Sequence, residues 1–259
     1  MVLESGVSRK VIGFSVTALP FDEQVSIILD WAKDWSSKFV CIANVHMLVE
    51  AYRNPSFASV LNTSDLVTPD GMPLVWMLRS MGVKNQDRVA GLDVMLALCK
   101  RASEKNIGVF FLGSDGSTLE KMRAKLEQEF PSLTILGMEP LPFRPLSEEE
   151  DEAVIQKLNS SKCGLVFVSL GCPKQEVWMA QHRGKVQAVM LGLGGAFPVY
   201  AGIYKRAPYF IRSLGLEWLY RLIQEPRRLW RRYGITIPIF LWLAIMQLLT
   251  FKRTPSVRA

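Results

Sequence analysis

The sequence has few of the residues on which several common kinds of active site depend. It contains two histidines, His46 and His182, which leaves no histidine-rich metal centre and no spare base for a serine-type triad. We expect both histidines to be structural or surface residues rather than catalysts. The four cysteines lack CxxC spacing and lie in or beside apolar runs, as buried thiols of a reducing compartment do: Cys41, Cys99, Cys163 and Cys172.

Two phosphate-binding fingerprints are also missing. The segment closest to GxGxxG is GLGGAF, in which Phe197 takes the place of the third glycine, and no P-loop spacing occurs. The missing fingerprint disfavours an NAD-dependent dehydrogenase, for which nicotinamide absorbance would be the test. The first residues lack the basic-then-apolar plan of a secretory signal, so we expect a cytoplasmic protein.

Acidic residues are scarce in the last part of the chain. Residues 204–259 contain 11 Lys and Arg against Glu217 and Glu225, whereas the whole chain carries a net charge of only +7. The arginines alternate with Trp and Tyr, which indicates a surface for anionic lipid headgroups or phosphates, with a solvated face as the alternative. Nucleic acid is disfavoured because no nucleic-acid motif occurs and the body of the chain is not basic.

An apolar segment follows these arginines at residues 235–251. Its 17 residues are interrupted by Thr236, Pro238, Gln247 and Thr250, and a membrane-spanning helix needs about 20 apolar residues. We therefore expect a helix that lies in the membrane interface or packs on a partner, and leave bilayer crossing open. The protein is predicted to sit at the cytoplasmic face of the membrane as a peripheral protein.

Short apolar runs alternate with amphipathic segments before this tail. The patterns predict strands at 11–16, 39–43, 109–112, 133–136, 165–170 and 186–191, and helices at 22–35, 46–53, 74–81 and 91–104. This alternation predicts an α/β fold with a mostly parallel sheet covered by helices on both faces. The composition changes near residues 200–204, which divides the chain into a core of residues 1–203 and a helical appendage of residues 204–259.

Polar and glycine-rich residues follow the predicted strands. In parallel α/β sheets ligands bind outside the carboxyl ends of the strands, where glycine-rich turns expose backbone N–H groups to phosphates. The candidates found this way are Asn44, Asp70, Gly113, Ser114, Gly171, Lys174, Gln175 and Gly194. Taken alone this is a generic signal for a phosphorylated ligand.

Asp70, Arg88 and the arginines of the tail each also have an ordinary explanation. Asp70 lies in Pro-Asp-Gly, which is common turn chemistry, or acts as a general base toward an attacking hydroxyl. Arg88 is either an exposed cation or a phosphate ligand. Arg221, Arg228 and Arg231 fall on one helical stripe if Pro226 does not bend the helix, and such a stripe suits a diphosphate.

Taken together, these segments resemble the WecG/TagA/CpsF family of bacterial glycosyltransferases. The similar stretches run in order along nearly the whole chain: ANVHMLVEAYRNPSFASVLNTSDLVTPDGMPLVW, DRVAGLD, VFFLGS, VFVSLGCPKQEVW, LGLGGAF and RAPYFIRSLGLEWLYRLIQEPRRLWRRY. The set is far more specific than any one of its motifs. One departure is Ile42, which stands where family members often carry threonine, two residues before Asn44.

The resemblance implies a Rossmann-like core with a membrane-targeting appendage. It implies inverting, metal-independent transfer of a hexose or N-acetylhexosamine (N-acetylmannosamine, its uronic acid or glucose) from a UDP-sugar to a polyprenyl-diphosphate-linked saccharide. Asp70 is then the catalytic base, with no cofactor. The implied substrate-binding residues are Asn44, Gly71, Arg88, Gly91, Asp93, Gly113, Ser114, Gly171, Lys174, Gln175, Gly194, Arg221, Arg228 and Arg231.

The predicted partners are the UDP-sugar, the lipid-linked acceptor and an anionic membrane surface. The oligomeric state, including a homo-oligomer, is left open. The alternative function is a peripheral membrane scaffold that binds UDP-sugar without turning it over. Release of UDP in the presence of the acceptor separates the enzyme from the scaffold.

Overall fold

The computed structural model describes residues 7–142 and 144–251, so the last eight residues of the predicted appendage lie outside the described residues. The strands are β1 (Ser8–Val11), β2 (Phe14–Thr17), β3 (Lys38–Ala43), β4 (Leu66–Pro69), β5 (Val109–Gly113), β6 (Ile135–Glu139), β7 (Leu165–Ser169) and β8 (Val189–Gly192). The helices of the first two thirds are α1 (Phe21–Lys33), α2 (Val45–Arg53), α3 (Pro55–Thr63), α4 (Met72–Ser80), α5 (Gly91–Glu104), α6 (Gly116–Glu129) and α7 (Glu148–Ser161). The last third contains α8 (Lys174–His182), α9 (Ala196–Tyr200), α10 (Tyr209–Ser213), α11 (Glu217–Gln224) and α12 (Pro226–Phe251).

Six strands form one parallel sheet in the order β4-β3-β8-β7-β5-β6. Helices cover both faces because the strands are apolar on both sides. One apolar layer contains Leu48 of α2, Leu74 of α4 and Met179 of α8. The opposite layer contains Ile28 of α1 and Leu98 of α5. The predicted α/β fold with a parallel sheet is confirmed.

The first predicted strand, residues 11–16, is wrong. Ile12 and Gly13 have φ of 43° and 98° and form a turn, so the run splits into the antiparallel pair β1 and β2. Positive φ at both central residues is the requirement of a tight hairpin turn, which suits the twist of the two strands. This hairpin forms a separate two-stranded sheet.

Other boundaries differ from the pattern for local reasons. The predicted strand at 186–191 begins only at Val189, because the N–H of Gln187 is bonded to Asn159 Oδ1 of α7 at 2.8 Å. The strand predicted at 133–136 is shifted to Ile135–Glu139. Helix α3 was not predicted; the Asn54 side chain caps its first turn.

The chain after α9 forms three helices. α11 ends at Gln224 and α12 starts at Pro226, so Glu225 separates the two and no single helix carries all the arginines of this region. α12 has 26 residues and begins nine residues before the predicted apolar segment. Among the described residues, it is the one helix long and apolar enough to cross a membrane, as judged by length and composition.

Helix α12 is docked on the body of the protein. Thr236, Phe240 and Ala244, spaced by four residues, are buried, and α12 packs on α2. Near its end, Gln247 accepts a hydrogen bond from the N–H of Ile12 at 2.7 Å and donates one to the carbonyl of Lys10 at 2.5 Å. The helix is therefore fastened to the hairpin as well as to α2. The division of the chain at residue 203 stays a prediction.

Candidate active site

A large cleft lies at the carboxyl edge of the parallel sheet. It encloses about 1370 Å³. The body of the protein contributes the residues that follow β3, β4, β7 and β8, and α10 to α12 contribute the opposite wall. Most of the predicted site residues line it: Asn44, Asp70, Gly71, Arg88, Gly91, Ser114, Gly171, Lys174, Gln175, Gly194, Arg221 and Arg228.

Sheet register brings Asn44 and Asp70 together. Ala43 of β3 pairs with Pro69 of β4, so the next residue of each strand leaves the sheet at the same point. The N–H of Asp70 donates to the carbonyl of Ala43 at 2.7 Å. Asn44 then caps α2 by accepting from the N–H of Met47 at 3.1 Å. The carboxyl group and the amide therefore lie side by side on the floor of the cleft.

Gly71 makes the turn that positions Asp70. Its φ of 104° is the left-handed region that favours glycine, and it lets α4 begin directly after Asp70. The carboxyl group of Asp70 has no hydrogen-bond partner within residues 7–142 and 144–251, and it lines the cleft. Burial, assisted by the charge of Glu217, raises its pKa to about 7, although Arg88 and Arg221 act in the opposite direction. The group therefore titrates near neutral pH, as a general base requires.

Arg88 is placed beside Asp70 by the backbone. The N–H of Val89 donates to the carbonyl of Pro69 at 2.9 Å, which aligns this loop with the edge of β4. Arg88 forms ion pairs with Glu217 of α11 and, at 3.4 Å, with Asp93 of α5. The guanidinium thus joins the body of the protein to α11.

Asp93 does not line the cleft, contrary to the expectation that it contacts substrate. Its carboxylate pairs instead with Arg206, with Arg88 at 3.4 Å and with Arg212 at 3.9 Å. Asp93 therefore positions three arginines at the edge of the cleft, without itself lining the cleft. Gly113 is also absent from the lining. Its φ of 91° and its close approach to the Ser169 carbonyl show that it shapes the turn that presents Ser114.

Gln175 is nearly fully buried and connects two rim loops. Its Oε1 accepts hydrogen bonds from the N–H groups of Gly171 and Gly194, both at 3.1 Å. Its Nε2 donates to Oε1 of Glu176 at 2.8 Å. Burial raises the pKa of Glu176. The side chain of Gln175 borders the cleft but is committed to the protein, which indicates a positioning role.

The arginines of α11 and α12 differ in how they are paired. Arg228 forms an ion pair with Glu225 at 2.5 Å. Arg221 and Arg232 both line the cleft, and neither has an acidic partner among the described residues. Burial and the neighbouring charges of Arg228 and Arg221 lower the pKa of Arg232. Uncompensated positive charge is therefore concentrated here, as an anion site requires.

The prediction of one arginine stripe is wrong at Arg231. Arg231 points away from the cleft: it is exposed and its guanidinium lies 5.3 Å from the centre of the Trp230 ring. Arg232, the next residue, takes its place in the cleft. The spacing from Arg228 allows either residue, because positions three and four residues apart are neighbours on a helix, and the docking of α12 decides between them.

His46 was expected to be a structural or surface residue; it lies in the first turn of α2 and lines the cleft. Burial and the charge of Arg232 lower its pKa to about 4, so the imidazole is neutral at pH 7. Its Nδ1 is buried and has no hydrogen-bond partner among the residues described. A neutral imidazole in this position can bind a hydroxyl group of a ligand. His182, by contrast, is buried against Asp151 and Trp178.

Acidic, histidine and cysteine side chains are the usual ligands of metal ions in proteins. Within the described ranges, no group of three such residues is arranged to hold a metal ion. All four cysteines are free, and three of them are buried.

The cleft combines a titratable carboxyl group with arginines that lack an acidic partner among the described residues, an arrangement that suits chemistry on an anionic ligand. The comparison with known proteins is more specific. The model of the glycosyl transferase WecG/TagA/CpsF family matches residues 9–254, so the chain belongs to this family of glycosyltransferases. The resemblance found in the sequence motifs is confirmed.

Individual relatives agree with the family assignment. A Bacillus spizizenii protein is 35% identical over 201 residues, which cover 77% of this chain and 76% of the relative. A Staphylococcus aureus protein is 30% identical over 207 residues, covering 79% of this chain and 78% of the relative. Both relatives are named N-acetylglucosaminyldiphosphoundecaprenol N-acetyl-beta-D-mannosaminyltransferase.

Proposed function

We propose that the protein is an inverting, metal-independent glycosyltransferase that moves a hexose or N-acetylhexosamine from a UDP-sugar to a polyprenyl-diphosphate-linked saccharide. The names of the relatives favour N-acetylmannosamine as the sugar and an N-acetylglucosamine-bearing acceptor. The uronic acid of N-acetylmannosamine and glucose are the other candidate sugars. We further propose that the enzyme works as a peripheral protein on the cytoplasmic face of the membrane.

The placement of Asp70 is the observation that carries this proposal. It is a carboxyl group on the cleft floor that has a pKa of about 7 and no protein hydrogen bond within the described ranges. Asn44 lies beside it and Arg88 lies across from it. A group held this way is free to accept a proton from a ligand.

The transfer proceeds in one displacement. Asp70 removes the proton of the acceptor hydroxyl as its oxygen attacks the anomeric carbon of the donor sugar. The new glycosidic bond forms on the face opposite the leaving group, the bond to the UDP oxygen breaks, and UDP departs with the electron pair. Inversion at the anomeric carbon follows from this single step.

The departing UDP gains negative charge that must be stabilised. Arg221 and Arg232 have no acidic partner among the described residues and supply positive charge to the cleft. The glycine-rich turns at Gly171 and Gly194 border the same cleft, and Gln175 fixes both turns by accepting hydrogen bonds from their N–H groups. This set of charges takes the part that a metal ion plays in other transferases.

The variant Asp70→Asn tests the proposal. Asparagine has nearly the same shape but accepts no proton, so we expect UDP binding to persist while transfer falls by about 100-fold or more. The measurement is UDP release in the presence of the lipid-linked acceptor, with UDP binding followed by calorimetry. Asp87→Asn is the matched control, because Asp87 lies outside the cleft and only accepts from the N–H of Phe21.

Two results would contradict the proposal. Near-normal turnover by Asp70→Asn would remove Asp70 as the base. Binding of UDP-sugars by the unmodified protein, with no UDP release when the acceptor is added, would favour a scaffold instead.

A further inference from the structure

The cleft continues beyond Asp70 as an apolar arm between α4 and α12. The residues that line this arm are Val45, Met77, Ile237, Leu241, Ile245 and Leu248. Val45 belongs to α2, on which α12 packs, so α2 forms the floor and the other two helices form the walls. Apolar side chains on three sides make the arm unsuitable for the charged parts of a nucleotide sugar.

The far end of the arm has a defined boundary. Gln247 of α12 contacts Met81, the residue that follows α4, at 3.3 Å from its sulfur, and it is also bonded to the backbone of the β1–β2 hairpin. From Thr236 to Leu248, α12 borders the arm over roughly 18 Å at the rise of an α-helix. The docked helix therefore sets the length of the arm.

The polar end of the arm joins the charged part of the cleft. Arg232 and Tyr233 lie on the same helix, one turn before Ile237, and Arg221 faces them from α11. A ligand that fills both parts carries an anionic group at the arginines and a continuous apolar chain beyond it. Charge complementarity thus selects a lipid diphosphate over a neutral lipid.

The outer surface of α12 is also apolar. Trp242, Met246 and Leu249 are exposed and do not line the cleft. The arm and this outer surface are adjacent faces of one helix, so a chain leaving the arm emerges beside a surface suited to a bilayer.

We propose that the arm binds the first isoprene units of the acceptor's polyprenyl chain. The proposal rests on the proposed function and extends it by assigning the lipid part of the acceptor to α2, α4 and α12. The enzyme then recognises the acceptor by its tail as well as by its diphosphate, and the tail aligns the sugar with Asp70.

Two acceptors test this without a membrane. Both carry the same N-acetylglucosamine diphosphate, one linked to a farnesyl chain and the other to a methyl group, and each is assayed in vesicle-free solution. Burial of several apolar carbons should raise kcat/KM for the farnesyl acceptor by about tenfold or more over the methyl acceptor. Equal kcat/KM values would overturn the arm as a lipid site while leaving the transferase activity in place.

A pair of neighbouring variants then locates the effect. Ile245→Trp fills the arm, whereas Met246→Trp adds the same bulk on the outer surface, and both positions are exposed enough to accept it. We expect Ile245→Trp to raise KM for the farnesyl acceptor at least about fivefold while KM for the donor and for the methyl acceptor stays unchanged. Met246→Trp should alter none of these values.

The outcomes separate the two proposals. Equal effects of the two variants on the farnesyl acceptor would overturn the arm, because the bulk would then act wherever it is placed. If neither the farnesyl acceptor nor the methyl acceptor causes UDP release, the proposed function itself is overturned, and the arm with it.

Discussion

At the level of single residues, charges of both signs act on the pKa of Asp70. Glu217 raises its pKa, and Arg88 and Arg221 lower it, while burial is the largest influence. Glu217 also forms the ion pair with Arg88, so one carboxylate affects the base in two ways. The state of the base therefore depends on a residue of α11, outside the sheet.

The variant Glu217→Gln should shift the pH dependence of transfer. A base with a pKa of about 7 gains activity as pH rises through 7. Removing the negative charge, and freeing the charge of Arg88, lowers that pKa, so the acidic limb of kcat/KM should move to lower pH. Rates measured between pH 5 and 9 give the limb directly.

Glu225→Gln is the control for this measurement. Glu225 pairs with Arg228 and does not contribute to the pKa of Asp70. The acidic limb of kcat/KM should lie at the same pH in Glu225→Gln as in the unmodified enzyme. An unshifted limb in Glu217→Gln would show that another group controls the pH dependence.

At the scale of elements, the turn after β8 determines where Arg221 lies. A Cβ at Gly195 would be 2.6 Å from Nη2 of Arg221. The atom that would clash is the end of a flexible side chain. The fold can therefore accept a methyl group at this position, but the guanidinium of Arg221 would have to move. Glycine at this position keeps the arginine of α11 close to the rim of the sheet.

Gly195→Ala is therefore expected to leave the fold intact and displace Arg221. If Arg221 stabilises the departing UDP, kcat should fall by about tenfold or more, with little change in Tm. Gly116→Ala is a suitable control, because a Cβ there meets no atom within 4 Å. A loss of Tm that parallels the loss of kcat would indicate general damage instead.

Sequence patterns predicted most elements of the sheet because each apolar run is interrupted by glycine or a polar residue where its strand ends. The same patterns could not divide VIGFSV into two strands, since the turn depends on positive φ at Ile12 as well as at Gly13. Asn44 and Asp70 were found because both follow strands directly.

Residues that reach the cleft from distant parts of the chain could not be found this way. His46 carries no pattern that distinguishes it from a surface histidine, and its environment depends on Arg232 of α12. Arg231 was predicted from its spacing, and only the docking of α12 shows that Arg232 is the residue that lines the cleft. Tertiary contact, which a single sequence does not display, decided these positions.

At the scale of the whole molecule, α10 to α12 form one wall of the cleft and carry much of the exposed apolar surface. Ion pairs link this wall to the body through Arg88 with Glu217 and through Arg206 with Asp93. Large apolar side chains exposed on α12 include Ile235, Trp242 and Leu249. Attachment to a membrane by this surface would place the cleft beside the lipid.

The double variant Trp242→Ser, Leu249→Ser should weaken membrane binding. Both side chains are more than half exposed and lie outside the cleft, so the loss of apolar contact should act on the membrane alone. Sedimentation with anionic vesicles measures the bound fraction, which should also fall as salt increases. Turnover of the soluble methyl acceptor should stay unchanged.

The matching control changes exposed apolar residues elsewhere. Trp35→Ser and Leu136→Ser remove comparable side chains from the body of the protein, and both positions are exposed. They should leave sedimentation unaltered. Equal losses in the two double variants would indicate nonspecific adsorption.

The hydrogen bond between Ile12 and Gln247 joins residues 235 positions apart. On a ribosome, the hairpin emerges long before its partner, and the body of the nascent chain can fold while that N–H still faces water. Of the described elements, helix α12 therefore docks last. Until α12 docks, both of its apolar faces are exposed to solvent. A bilayer near the ribosomal exit tunnel can therefore bind the helix before the body of the protein covers one face.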